Sequence, residues 1–381
     1  MIANPSGPEN LLLVAASEHD ANMLYATGMF VPDPFIYLRA GGRAYIVMSD
    51  LEIDRARKQA PHCRVLSLSH YQRKLRRAGV ERPGFAEVIA AVLHERGVRE
   101  VVVPEEFPFG LARDLQRRKI RARARRGSFF PEREQKSAVE ISKLVEALRM
   151  AEAGMAAAKR VLWATKTGKG RQLIYRAAPL TSERLRAAID TAIIQAGGLA
   201  SHTIVAGGEQ GCDPHEPGHG PLRAHEPIIL DIFPRSQQTG YFGDFTRTVV
   251  RGRASEAVRR LYATVEAGQN VALKMIRPGV PTAAVHQAVV EFFEQQGYKT
   301  GKRNGRMQGF FHGTGHGLGL EIHEAPRMGL NSAGELKAGQ VVTVEPGLYY
   351  PGLGGVRLED VAVLSPTGCE DVTKFEKMLE I

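Results

Sequence analysis

In the stretch from His312 to Pro326, HGTGHGLGLEIHEAP, glycine stands at positions 313, 315, 317 and 319. Glycines at every second position would each cost a helix about 1 kcal/mol relative to alanine. The segment is therefore not the helical zinc-binding pair that the four-residue spacing of His312 and His316 imitates. An extended chain orders the same residues. With a period of two, His312, Thr314, His316, Leu318 and Leu320 share one face and the glycines the other. One face carries chemistry, and the other is bare backbone that admits close approach by a neighbouring segment or a substrate. A phosphate loop is excluded, because neither G-x-x-x-x-G-K-[ST] nor a G-x-G-x-x-G opening a helix is present.

The preceding chain divides in two. Over the first 130 or so residues, strand patterns (LLLVAA, FIYLRA, RAYIVMS, CRVLSLS, REVVVP) alternate with helix patterns (EHDANMLYATG, SDLEIDRARKQA, FAEVIAAVLHERG), which predicts an α/β domain. It holds no cluster of histidines or carboxylates. Beyond it, Ile141, Leu144, Val145, Leu148 and Met155 recur at helical spacing and predict a long amphipathic helix, so the boundary falls near Glu134. The expected domains are 1–134 and 135–381. A second helix, TSERLRAAIDTAIIQAGG, has Thr181 or Ser182 as its cap and Gly197 as its stop.

No run approaches the roughly 18 apolar residues that span a bilayer. With 43% apolar and 24% charged residues, we expect a cytoplasmic protein with no membrane partner. Cys63, Cys212 and Cys369 are scattered without C-x-x-C spacing, which argues against a disulfide framework or a cysteine zinc site. The net charge is +10, with basic residues concentrated in Arg113 to Arg126, RDLQRRKIRARARR. Such a run could neutralise nucleic-acid phosphates, but no nucleic-acid-binding signature accompanies it, and a solvated basic face is the expectation.

Acidic residues interrupt strand patterns at four places. PIILDIF carries Asp231 and GYFGDFTRTVV carries Asp244, and the turn-like PRSQQTG between them predicts a hairpin that joins the two. GQVVTVEP ends on Glu345, and GVRLEDVAVL sets Arg357 and Glu359 on one face. Singly, each is an ordinary strand-end carboxylate, and Glu359 could simply pair with Arg357. Together with His316 they form a set whose burial requires compensating cations. Four carboxylates and one imidazole make a hard donor set that favours Mn²⁺, with Co²⁺ or Zn²⁺ as substitutes, and five donors serve two ions if some bridge.

DIFPRSQQTGYFGDFTRT, HGTGHGLGLEIHE, VTVEPGLYY and GVRLEDVAVL, in this order, resemble the pita-bread metallopeptidases: aminopeptidase P, prolidase and, as a fold-mate, creatinase. The likeness covers roughly residues 135–381. It implies an α+β chain in which a pita-bread catalytic domain follows a smaller creatinase-type α/β domain. It further implies two divalent metal ions, with Asp231 on the first, His316 and Glu345 on the second, and Asp244 and Glu359 bridging. The separation of Asp231 from Asp244 is slightly longer than the commonest family spacing, and the extra residues fall in the turn. His215, in GEQGCDPHEPGHGPL, matches the histidine that assists from outside the metal shell, with His219 as a nearby competitor. His323 matches the histidine at the scissile region and the proline-side pocket, and His312 lines that pocket or supports His316. Tyr349 and Arg357 match residues that aminopeptidases P place beside the metals.

The implied activity is hydrolysis of Xaa-Pro bonds by a hydroxide bridging the metals. Glu345 would shuttle the proton, and His215 or His323 would stabilise the oxyanion. The implied partners are a proline-containing peptide and a second copy of the chain. Prolidases hold a dipeptide's free carboxylate with an arginine, and in RMGLNSAGELKAGQ the aligned place falls near Asn331, with Arg327 slightly earlier. Two alternatives are a creatinase-like or other small-amide hydrolase, and a noncatalytic binding protein acting through its basic surface.

Overall fold

The computed structural model describes residues 9–381 and resolves into two compact units, Met1–Pro131 and Glu132–Ile381. In the first, strands β1 (Leu11–Ala15), β2 (Phe35–Ala40), β3 (Arg43–Met48), β4 (Arg64–Ser67), β5 (Glu100–Pro104) and β6 (Arg121–Arg125) form one sheet in the order β4-β3-β2-β1-β5-β6. β1, β2 and β3 pair antiparallel, and the β3–β4, β1–β5 and β5–β6 pairs are parallel. Alternation along the strands feeds two cores. Leu12, Val101 and Val103 pack with helices α3 (Leu68–Arg77), α4 (Phe85–His94) and α5 (Phe109–Arg117) on one face. Leu11, Leu13 and Val102 pack with α1 (Ala21–Thr27) and α2 (Ile53–Gln59) on the other.

Four of these elements depart from the sequence reading. The strand read in CRVLSLS stops at Ser67, whose hydroxyl accepts from the His70 amide at 3.1 Å and starts α3. That helix buries Tyr71, with Leu68 and Leu75 partly buried on the same stripe, and the stripe runs on from the strand without a break, which hid it in the sequence. The basic run, read as a surface patch, contains the end of α5 and all of β6. β6 lies at the sheet edge, where Ala122 is the only side chain it sends against the core, so its RARAR pattern lacks the β-branched signature of a strand.

The second unit contains two helix pairs, α6 (Ala138–Trp163) on α7 (Ser182–Gln195) and α8 (Glu256–Met275) on α9 (Thr282–Gln295). Ser137 and Glu140 close a capping box at the start of α6, and Thr181 caps α7. One antiparallel sheet pairs Pro227–Ile232 with Ile204–Gly207 and with Phe245–Val250, in the register Asp231↔Thr246. The segment predicted as a hairpin therefore pairs as expected, with Asp244 just before its second strand. A five-stranded sheet orders Glu324–Met328, Gly315–Gly317, Val341–Val344, Asp360–Leu364 and Cys369–Asp371. GVRLEDVAVL is not one strand. It breaks at Leu358 and Glu359, so that Gly354–Arg357 pairs with Gly347–Tyr350 while Asp360–Leu364 joins the larger sheet. The three cysteines are unbridged, and no described helix is long and apolar enough to cross a membrane.

Candidate metal centre

The glycine-histidine segment is extended only over Gly315–Gly317, with a register shift after His316, and the predicted longer strand gives way to loop. The bare face has a definite neighbour. A Cβ on Gly317 would collide with the Ala325 carbonyl, and one on Gly319 with the Glu324 carboxylate, so the returning HEAP segment lies directly on glycine backbone. On the other face His316 is fixed by its own amide, which donates to Thr343 Oγ1 at 3.2 Å. Glu345 is placed from the next strand by its amide, which donates to the Thr314 carbonyl at 2.8 Å.

Two sheets thus converge on a cavity of about 630 Å³ lined by His215, Asp231, Asp244, His312, His316, His323, Glu345, Arg357 and Glu359. Ligand atoms of Asp244, His316 and Glu359 lie within 4.8 Å of one another. His316 Nε2 is 3.3 Å from Glu345 Oε1 and 3.8 Å from Asp244 Oδ2. The Glu359 amide donates to the Thr246 carbonyl at 3.1 Å and its carboxylate accepts from Thr246 Oγ1 at 2.8 Å, which joins the two sheets at the centre. Thr246 escaped the sequence reading, although it shares a strand face with Asp244 in GDFTRT and could have been found there.

Arg357 pairs with Asp231 at 2.6 Å rather than with Glu359. It also donates to Tyr349 Oη at 3.1 Å, and that hydroxyl lies 2.9 Å from His312 Nε2. Tyr349 is fully buried behind the cavity wall, so its reach to the cavity runs through Arg357 and His312. His219 faces away, 3.3 Å from Glu216, in a separate depression, which leaves His215 as the cavity histidine of that loop. Asn331 also lies outside the cavity, whereas Arg327, cross-strand from His316, lines it. The strand period decides this, because Arg327 is in the paired register and Asn331 is in the turn beyond it.

The electrostatics describe a site that needs positive charge. Burial raises the Asp244 carboxyl well above its ordinary value, and the charges of Glu359, Asp231 and Glu345 raise it further. Glu359 is raised for the same reasons, and burial lifts Glu345 to about 7. Burial, reinforced by His323, holds His316 down at about 3, so its imidazole is neutral and has a lone pair to offer. For Arg357, burial opposes the charge, but Tyr349, Asp231 and Glu345 outweigh it and keep the guanidinium protonated. The two guanidinium groups of the cavity, Arg357 and Arg327, do not balance four acidic side chains. The donor set is rich in hard oxygen, contains a neutral imidazole and is short of cations, so it fits divalent metal.

The chain matches the model of Metallopeptidase family M24 over residues 142–366. An Xaa-Pro dipeptidase of Pyrococcus furiosus is 34% identical over 181 residues, covering 47% of this chain and 49% of that protein. An uncharacterised peptidase of Staphylococcus aureus is 29% identical over 180 residues, covering 47% and 48%. In these alignments the chain spans about half the length of the curated relatives it matches. Among solved structures, an X-Pro aminopeptidase from Thermotoga maritima superposes with a TM-score of 0.81 at 22% identity, covering 98% of this chain and 97% of the other. Prolidase from Pyrococcus furiosus gives 0.77 at 22% identity, covering 97% of each. At these identities the likeness establishes the fold, a pita-bread domain behind a smaller α/β domain. With the family match extending over more than half of its length, the chain belongs to metallopeptidase family M24.

Proposed function

We propose that the protein hydrolyses Xaa-Pro bonds using two divalent metal ions, with residues 135–381 as its catalytic domain. The observation that carries this reading is the buried convergence of Asp244, His316 and Glu359, with Asp231 and Glu345 in the same cavity. Asp231, Asp244, His316, Glu345 and Glu359 would hold the metals, with Asp244 and Glu359 shared, and the hard donors favour Mn²⁺. When bound, such ions polarise the scissile carbonyl and make water acidic enough to serve as nucleophile near neutral pH.

The remaining residues have assignable tasks. Glu345, at the cavity beside the metals it would help to hold, would carry a proton to the leaving nitrogen. His215 and His323 line the cavity as donors toward the carbonyl oxygen, and Arg357, with Tyr349 and His312 behind it, orients Asp231. Proline's nitrogen carries no hydrogen, so a site that demands no N–H and offers apolar wall accepts it. Phe233, Phe311 and Ile322 supply that wall.

Arg327 favours a dipeptide, because its guanidinium can receive the free carboxylate of proline. Metal per chain and turnover of Xaa-Pro and Xaa-Pro-Yaa peptides, with and without Mn²⁺, test the reading. A protein that binds no divalent metal at the cavity and cleaves neither peptide refutes it. Arg327→Gln is expected to raise KM for the dipeptide at least about tenfold and to leave the tripeptide nearly unchanged.

A further inference from the structure

The segment just before α6 places two cations in the interior of the second unit. The Arg133 and Lys136 side chains are 8% and 1% exposed, and both converge on Glu324, which is 9% exposed. Arg133 Nη2 lies 2.6 Å from Glu324 Oε2 and 2.8 Å from Glu321 Oε2, and Lys136 Nζ lies 2.5 Å from Glu324 Oε1. The cations are themselves anchored. The Lys136 amide donates to the Gly339 carbonyl at 2.7 Å, and Gln135 Nε2 to the Ala338 carbonyl at 3.0 Å.

Taking three charges out of water costs several kcal/mol per ion, and apolar side chains of similar volume commonly hold a fold as well. What a doubly paired carboxylate adds is orientation, because both oxygens are fixed. Glu324 directly follows His323, and its carboxylate rests on Gly319, whose carbonyl accepts from the Phe242 amide at 2.9 Å, two residues before Asp244. The His323 ring meets the His316 ring edge-on, with centroids 4.4 Å apart.

We propose that Glu324, clamped by Arg133 and Lys136, is a positioning residue that holds the His323 imidazole over the cavity. The glycines at 317 and 319 leave room for the clamp to seat. This inference rests on the peptidase reading for its kinetic test and on geometry alone for its spectroscopic one.

A double-mutant cycle separates positioning from general support. Glu324→Gln keeps the shape and removes the charge. It is expected to lower kcat/KM for an Xaa-Pro dipeptide by about 10–100-fold with metal content unchanged. In a His323→Ala background the same change is expected to cost less than about threefold. If Glu324→Gln strands its cations and does not fold, Lys136→Gln, which leaves the Arg133–Glu324 pair whole, runs the same cycle. Equal losses in both backgrounds, or a loss explained by missing metal, overturn the proposal. Independently of any substrate, the imidazole cross-peak of His323 in an NMR spectrum, assigned by its loss in His323→Ala, should shift or broaden in Glu324→Gln. An unmoved cross-peak overturns positioning; a moved one in a protein that cleaves no Xaa-Pro peptide supports positioning and refutes only the activity.

Discussion

The two compact units treat charge in opposite ways. Among the described residues of the first unit, the buried polar side chains are Ser17 and Thr27, and every charged side chain keeps contact with solvent. The second unit buries Arg133, Lys136, Asp244, Arg247, His316, Arg357, Glu359 and Asp360. A fold whose only task is to remain folded has no reason to accept such burial, since each uncompensated charge costs several kcal/mol. Buried charge in the second unit gathers at the cavity and in the ties that hold its strands, and charge on the first is a solvated surface.

The sharpest break of that contrast is at the metal centre. Asp244→Ala is expected to abolish stoichiometric metal binding and to reduce kcat/KM for an Xaa-Pro dipeptide by about 10³-fold or more, equivalent to the several kcal/mol a metal supplies. Stability should move the other way. Asp244→Asn removes one of the mutually repelling buried carboxylates, so the metal-free variant should unfold at a higher temperature than metal-free wild type. A chelator should then lower the midpoint of wild type and leave that of the variant nearly unmoved. Calorimetry of both proteins with and without chelator checks this, and a variant that still binds metal in full would refute the ligand assignment.

Next in size is Arg247, a buried charge outside the cavity. Its guanidinium donates to the carbonyls of Thr246, Glu359, Phe375 and Glu376 and to Asp360 Oδ1 at 2.8 Å, which ties the strand after Asp244 to the strand after Glu359. Arg247→Met takes away this donor from the Glu359, Phe375 and Glu376 carbonyls and from Asp360 Oδ1, and a loss of about 3–5 kcal/mol in denaturant unfolding is expected. The double variant Arg247→Met/Asp360→Asn should lose less than the single one, because the stranded carboxylate is gone. If the single change costs under 1 kcal/mol, this burial is not the constraint that the comparison makes it.

Sequence legibility followed the same division. Asp231, Asp244, Glu345 and Glu359 stood out because each interrupts an apolar strand pattern, and the turn between the strands of Asp231 and Asp244 showed that these strands pair, though not in which register. Contacts between segments distant in the chain were not legible. Nothing local says that Arg357 turns to Asp231 rather than Glu359, or that Arg133 meets Glu324 across 191 positions. That Arg327 lines the cavity and Asn331 does not was not legible either, because register is set by pairing with Gly315–Gly317 and not by distance from the following strand. In the first unit, α3 and β6 were missed for the converse reason. β6 buries so little that its pattern carries almost no apolar signal, and the Leu68, Tyr71 and Leu75 stripe of α3 runs on from β4 without a break.

The smallest expected effect sharpens the comparison from the other side. Arg123, in the edge strand β6, lies 3.0 Å from Glu9 and 3.7 Å from Glu100, with 48% of its side chain exposed. An ion pair in that setting gains little over water and spends side-chain entropy to hold its geometry. Arg123→Gln should therefore change unfolding stability by no more than about 0.5 kcal/mol. It should leave metal content and peptide turnover at wild-type values. Because its partners are half-exposed carboxylates, raising the salt concentration should erase even that difference, since exposed charges are screened over about 10 Å at 0.1 M. A larger, salt-resistant loss of stability would mean that the arginines of β6 are held in place as firmly as those around the cavity, and the contrast between the units would fail. A loss of turnover at unchanged stability would instead give the basic strand a part in substrate capture, which its pairing with Glu9 and Glu100 argues against.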